Sequence, residues 1–233
     1  MAVAYDEGLA EATRYGGPPS VGRLPEPGEA LADGVVHGIG LAAGVAGAVV
    51  LLSAHGGGVL ETVALATYAL GLLTMLFCSA AYNRAPPSRL KWWLRRFDHA
   101  AIFLMIAATY TPFLARFQDT GWAGVLGVAI WAGAAGGITL KLGWPGRFDR
   151  LSIGLYLLLG WAIVAAFEPL AASVSGTTLA LLVAGGVLYT VGVIFHVWER
   201  LRYQTAIWHG FVVAAAGCHY AAVLDLMVLT PGG

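Results

Sequence analysis

The sequence predicts an all-α integral membrane protein, a bundle of seven transmembrane helices with its N-terminus in the cytoplasm and its C-terminus outside. Three observations predict it. Of the 233 residues, 58% are hydrophobic and only 11% are charged, whereas a soluble domain carries about 25% charged residues. The few charges are segregated, leaving apolar runs long enough to cross a bilayer, which takes about 20 residues. The basic residues also alternate from side to side in a way that orients the runs.

The runs are expected at 34–53, 62–83, 99–117, 121–141, 151–169, 178–198 and 206–228. Each boundary has a reason. "RFQDTGW" is too polar to let the third and fourth runs merge into one helix. "GWPGRFDR" separates the fourth from the fifth, "EPLAASVSGTT" the fifth from the sixth, and "ERLRYQTA" the sixth from the seventh. Residues 1–33, rich in proline, glycine and acids, are expected to form a cytoplasmic tail, and residues 34–229 the membrane domain. A short helix over 2–14 is possible, but "YGGPPSVGRLPEPGE" cannot continue it. The N-terminal segment lacks a basic-then-apolar signal pattern, so the first span is expected to direct insertion. "LKWWLRR" reads as an interfacial turn with Trp92 and Trp93 at headgroup depth.

Orientation rests on lysine and arginine. Arg84, Arg89, Lys91, Arg95 and Arg96 lie between spans 2 and 3, and Lys141, Arg147 and Arg150 between spans 4 and 5. Arg200 and Arg202 lie between spans 6 and 7, and Arg14 and Arg23 in the tail. Of the 13 basic residues, only Arg116 falls on the opposite side. The positive-inside rule then sets the N-terminus in the cytoplasm. Pairs of glycines four apart (Gly34/Gly38, Gly40/Gly44, Gly133/Gly137) suit close helix approach. Cys78 and Cys218 sit within apolar runs and read as small buried hydrophobes rather than a disulfide framework.

This topology collects polar residues in one slab of the inner leaflet. Ser79 and Asn83 share a face at the cytoplasmic end of span 2, and Asp98 and His99 open span 3. Thr205 and His209 share a face at the start of span 7. His37 opens span 1 and His196 closes span 6 at the same depth. Ionisable residues in membrane segments are costly and usually face the bundle interior. Asp98 is therefore the leading candidate, with helix capping as its alternative role. His99 is rotated by roughly 100° from Asp98 and is expected to face packing or lipid. His219 lies ten residues beyond His209, about 15 Å deeper and turned by roughly 80°, so it is expected outside a small shared site.

Taken in order, "HGIG" at 37, "S-x-x-x-N" at Ser79, "FDHAAIFLMIAATYTPF" at 97–113, "GVLYTVGVIFHVWER" at 186–200 and "AIWHGFVVAAAGCHYAAV" at 206–223 resemble the hemolysin III family. That family belongs to the wider progestin and adipoQ receptor group, and the resemblance spans about residues 30–229. It implies a seven-helix bundle of topology opposite to G-protein-coupled receptors. It also implies a zinc ion near the cytoplasmic leaflet, held by a histidine ending helix 2, an aspartate opening helix 3 and two histidines four apart on helix 7, with a serine close by. Such a site suggests hydrolysis of lipid amides, with the metal activating water.

Residue by residue, Asp98, His209 and Ser79 match this set and become the candidate catalytic residues, with Asp98 and His209 as metal ligands. Asn83 and Thr205 stand where two ligand histidines are expected. A zinc site wants three or four N, S or carboxylate ligands, and an amide oxygen suits hard cations better. The departure points to a metal-free cluster in which Asn83 donates to Asp98 and His209 pairs with the same carboxylate. Thr205 and His219 are further polar candidates.

The expected function is membrane lipid sensing or homeostasis through this site. A metal-dependent hydrolase of lipid amides or esters is the alternative, and a pore the third reading. The implied partners are membrane lipids and not nucleic acid, and the expected location is a bacterial inner membrane.

Overall fold

The computed structural model describes residues 26–229, apart from 87, 118, 119 and 145. The expected tail helix over 2–14 lies outside the described residues. Seven helices are long and apolar enough to cross a membrane: α1 (Pro27–Ala54), α2 (Val59–Arg84), α3 (Arg89–Leu114), α4 (Thr120–Gly143), α5 (Asp149–Ser173), α6 (Gly176–Val197) and α7 (Gln204–Leu229). The described residues contain no strand. α3 is the most buried span. It packs between α2 and α4, α1 lies against α2 and α7, and α6 pairs with α7.

α1 starts at Pro27, seven residues before the expected 34. The reason is a helix-start signal within "PEPGE". Pro27 sits at the first helical position, where its fixed φ suits a helix and no N–H is missed. The Glu29 carboxylate accepts from the Glu26 N–H at 2.8 Å. It also accepts from the Tyr203 N–H at 2.7 Å, just before α7, where Tyr203 adopts φ 58°. One buried carboxylate thus ties the start of α1 to the start of α7.

α3 likewise begins earlier than expected. "LKWWLRR" is helix rather than an interfacial turn, capped by Ser88 Oγ, which accepts from the Lys91 N–H at 3.2 Å. Arg96 lies over the rings of Trp92 and Trp93, at 3.6 and 4.3 Å. Aromatic faces and cap together extend the helix into its basic flank.

The face of α1 that turns inward reads Glu29, Asp33, His37, Gly40, Gly44, Ala48 and Leu51. These spacings of three and four make one continuous helical stripe. A Cβ at Gly44 would stand 2.5 Å from Leu76 Cδ1 of α2, so that side chain would have to shift for any larger residue. The small residues let α1 settle onto α2 and α7, and so bring Asp33 and His37 close to both.

The end of the bundle that holds the loops after α2, α4 and α6 carries ten of the described basic residues. Asp149 gathers two of them, Lys141 at 2.7 Å and Arg95 at 2.7 Å. At the opposite end Arg116 pairs with Glu61 at 3.0 Å. Here Asp225 accepts from Ser175 at 2.6 Å and also from Thr178.

α5 is broken. It is α-helical to Trp161, a 3-10 helix over Ala162–Ala166, and α-helical again over Phe167–Ser173. Pro169 lacks an N–H for the Ala165 carbonyl, and its ring crowds that turn. The Tyr110 hydroxyl of α3 repairs the break. It donates to the Leu159 carbonyl at 2.8 Å, with the Gly160 carbonyl 3.1 Å away, and accepts from the Ile163 N–H at 2.9 Å. Tyr110→Phe is expected to destabilise the protein by about 1–3 kcal/mol, the range for leaving buried backbone groups unanswered. Thermal unfolding in detergent reads the effect; an unchanged midpoint would show that the hydroxyl does not support the break.

Candidate functional site

Asp33, His37, Ser79 and His209 come together where α1, α2 and α7 meet. Asp33, His37 and His209 are all buried. His209 Nδ1 lies 2.6 Å from Asp33 Oδ1. His37 Nδ1 lies 2.8 Å from the Asp33 carbonyl oxygen and 3.4 Å from Asp33 Oδ2. The two rings meet edge to face with centroids 4.4 Å apart. Ser79 Oγ stands between them, 3.1 Å from His37 Nε2 and 3.5 Å from His209 Nε2.

The proton positions follow from the partners. A carbonyl or carboxylate oxygen only accepts. Both Nδ1 atoms therefore carry hydrogen and donate, which fixes the tautomer of each neutral ring. Both Nε2 lone pairs then point toward a single hydroxyl. Chemically, this cluster offers a serine oxygen, two basic nitrogens and a carboxylate that steadies one imidazole.

The other candidates from the sequence are placed differently. The Asp98 carboxylate sits 3.3 Å from His99 Nδ1, an ion-pair distance without hydrogen-bond geometry. The expected bonds from Asn83 to Asp98 and between His209 and Asp98 are thus corrected. Asn83 Nδ2 donates instead to the Ser79 carbonyl at 2.9 Å, because an amide four residues along a helix reaches its own backbone more readily than a neighbouring helix. His209 is taken by Asp33. His99, expected to face away, lies 3.3 Å from the Asp98 carboxylate through Nδ1.

Thr205 Oγ1 donates to its neighbour Gln204 at 3.2 Å. His219 lies apart, as expected. Its Nε2 is 3.4 Å from the Leu182 carbonyl, and its ring packs against Gly185 and, at 5.6 Å, Tyr189. It lines an apolar crevice shared with Thr109, Trp161, Phe167, Leu182 and Gly186.

Asp33 is the residue that sequence reasoning missed, because the first span was expected to begin at 34. The signal was present: Glu29, Asp33 and His37 recur every fourth residue and run directly into Gly40 and Gly44.

The zinc set implied by the resemblance does not fit these residues. Asn83 spends its amide on its own helix, Thr205 bonds at the helix start, and Asp98 is engaged by His99. Of the implied ligands only His209 lies in the cluster, with Ser79, the serine implied close by, beside it.

Comparison with known proteins places the chain. The family model described as Haemolysin-III related matches residues 29–220. The chain is 35% identical over 205 residues to the hemolysin-3 homolog of Bacillus subtilis (strain 168), covering 87% of this chain and 96% of that protein. It is 34% identical over 207 residues to hemolysin-3 of Bacillus cereus, covering 87% and 93%. Human monocyte to macrophage differentiation factor is 29% identical over 175 residues, 70% of each chain. With its seven membrane-length helices and its match over most of its length, the chain is an integral membrane protein that belongs to the haemolysin-III-related family.

Proposed function

We propose that the protein acts in membrane lipid sensing or homeostasis through the polar cluster of α1, α2 and α7. One observation carries the reading: Asp33, His37, Ser79 and His209 are packed together at the end of the bundle where the basic residues collect. The positive-inside rule makes that end cytoplasmic. The cluster then lies just beneath the inner-leaflet headgroups, within reach of lipid ester and amide groups. Intramembrane ionisable residues are expensive and mark functional sites by default. The apolar crevice beside His219 offers an acyl chain a protein-lined surface.

A specific observation favours hydrolysis as a second reading. Ser79 Oγ, His209 Nε2 and Asp33 Oδ1 follow the order nucleophile, base, orienting carboxylate. The distances of 3.5 and 2.6 Å suit a resting arrangement that tightens when substrate binds. In this reading Ser79 Oγ attacks the lipid carbonyl as its proton passes to His209 Nε2, and Asp33 stabilises the imidazolium. His209 then gives that proton to the departing alcohol or amine as the ester or amide bond breaks. A water deprotonated by His209 cleaves the acyl-serine, releasing the fatty acid and restoring Ser79. A pore has less support. Thr109 and Thr111 donate to the carbonyls of Met105 and Ala107, and His219 is engaged at Leu182, so these groups are turned to their own helices or a neighbour.

The test is purified protein in vesicles containing phosphatidylethanolamine, phosphatidylglycerol and a ceramide, assayed for retained lipid and released fatty acid. Wild type is expected to retain one lipid class above an unrelated membrane protein, and Ser79→Ala to lose that preference. Fatty acid released by wild type but not by Ser79→Ala would establish the hydrolytic reading. Equal retention by all samples with no release would refute both.

A further inference from the structure

The geometry points to a binding site for the phosphate of an anionic phospholipid at Arg96, where the start of α3 meets the end of α4. The site is separate from the polar cluster of α1, α2 and α7 and does not rest on the lipid-sensing reading.

The junction carries more positive charge than its acids balance. Arg95 and Lys141 both converge on one carboxylate, Asp149, at 2.7 Å each. Arg96 has no acidic partner among the described residues. Its Nη1 donates to the Leu142 carbonyl at 3.0 Å, in the last turn of α4. The other edge of the guanidinium is unanswered. Nε is buried without an acceptor, and Nη2 makes no hydrogen bond among the described residues. The indole Nε1 of Trp92 is a further buried donor without an acceptor. A partly buried cation is costly unless an anion answers it. The Nε–Nη2 edge presents two parallel N–H groups, the arrangement that meets two oxygens of a phosphate.

The guanidinium is also held in place. Its Cζ lies 3.6 Å from the Trp92 ring centroid and 4.3 Å from that of Trp93, and the two rings meet edge to face at 5.1 Å. Cation–π contacts of this kind fix the plane of the fork before a ligand arrives.

A lipid suits the surroundings better than free phosphate. Leu90, Trp93 and Phe97 are exposed and, at spacings of three and four, share one face of α3. Trp92 and Arg96 lie on the adjoining stripe. Acyl chains rest against the apolar face while the phosphate reaches the guanidinium beside it. The basic end of the bundle faces the cytoplasmic leaflet, whose anionic lipids favour such positive positions. Phosphatidylglycerol carries a net negative charge, whereas the choline of phosphatidylcholine cancels its phosphate.

The experiment uses the full chain, purified and delipidated in detergent, mixed with equal amounts of phosphatidylglycerol and phosphatidylcholine. Native mass spectrometry counts bound lipid, and titration gives its affinity. Wild type is expected to hold one phosphatidylglycerol that excess phosphatidylcholine does not displace. Arg96→Gln should weaken it roughly 10-fold, as for a lost hydrogen bond to a charged group. Arg96→Lys keeps the charge without the fork and should fall between the two; it carries the test if Arg96→Gln does not fold. Arg200→Gln removes an equal charge from an exposed position at the same end of the bundle and should keep the lipid. Ser79→Ala should keep it too, so this site and the polar cluster fail separately. Phosphatidylglycerol should raise the unfolding midpoint of wild type and of Arg200→Gln, but not of Arg96→Gln. Affinity unchanged in folded Arg96→Gln or Arg96→Lys, or lowered equally in Arg200→Gln, would overturn the site in favour of diffuse surface charge. Displacement by inorganic phosphate would overturn the lipid as its occupant.

Discussion

Asp33→Ala is expected to lower stability by about 1–3 kcal/mol, the range for leaving a buried hydrogen-bond donor without its acceptor. Asp33 and His209 are 7% and 8% exposed, so little water can replace the lost carboxylate. The bond between them is short, 2.6 Å, and hydrogen bonds to charged groups are the stronger kind. The change also leaves the His209 Nδ1–H without its acceptor. Asp33→Asn is the informative companion. Its amide oxygen can still accept from Nδ1, so it should recover part of the stability without the charge. Asp98→Asn should be far milder, because Asp98 is only partly buried and touches its own neighbour, His99. Thermal unfolding in one detergent, with all three variants side by side, measures the series. If Asp98→Asn proved more damaging than Asp33→Ala, the electrostatic centre would lie on α3 rather than α1.

Gly71→Val should be the most damaging packing change. Gly71 faces α3, and a Cβ there would collide with the Cβ of Ala108, with Met105 Cα and the Leu104 carbonyl only 3.6 and 3.7 Å away. None of these atoms is the end of a flexible side chain. α2 and α3 must therefore move apart, and valine adds two further methyls. Overpacking typically costs about 1–3 kcal/mol and occasionally more. Because α2 carries Ser79, the separation should also loosen the cluster. The expected result is a lower unfolding midpoint in Gly71→Val, with Gly71→Ala in between. Gly38→Ala, where a Cβ meets nothing within 4 Å, is the matched control and should leave the midpoint near wild type. A tolerated Gly71→Val would mean that the α2–α3 contact is looser than these distances imply.

The resemblance to hemolysin III, carried by motifs at His37, Ser79, Asp98 and His209, agrees with the family match over residues 29–220. Those motifs are local strings, legible without the fold. Ser79 and His209, chosen as candidates, do meet. Asp98, chosen because an acid in a membrane segment demands a partner, found that partner one residue away at His99. Asn83 shows the same preference for the nearest acceptor, its own helix. In each case a short covalent path outcompeted a contact that would have required two helices to rotate into register.

By itself the sequence determined the number, order and alternation of the seven helices, and the end at which positive charge collects. Those properties depend on runs of apolar length and on charges at their flanks, which are local along the chain. The tertiary structure alone decided that His209 meets Asp33, 176 positions away, rather than Asp98. That choice depends on the rotation and depth of α1, set by the glycine face that docks on Leu76 and by Glu29 clamping Tyr203. Rotation about a helix axis is fixed by packing among all the helices at once, and no single segment encodes it.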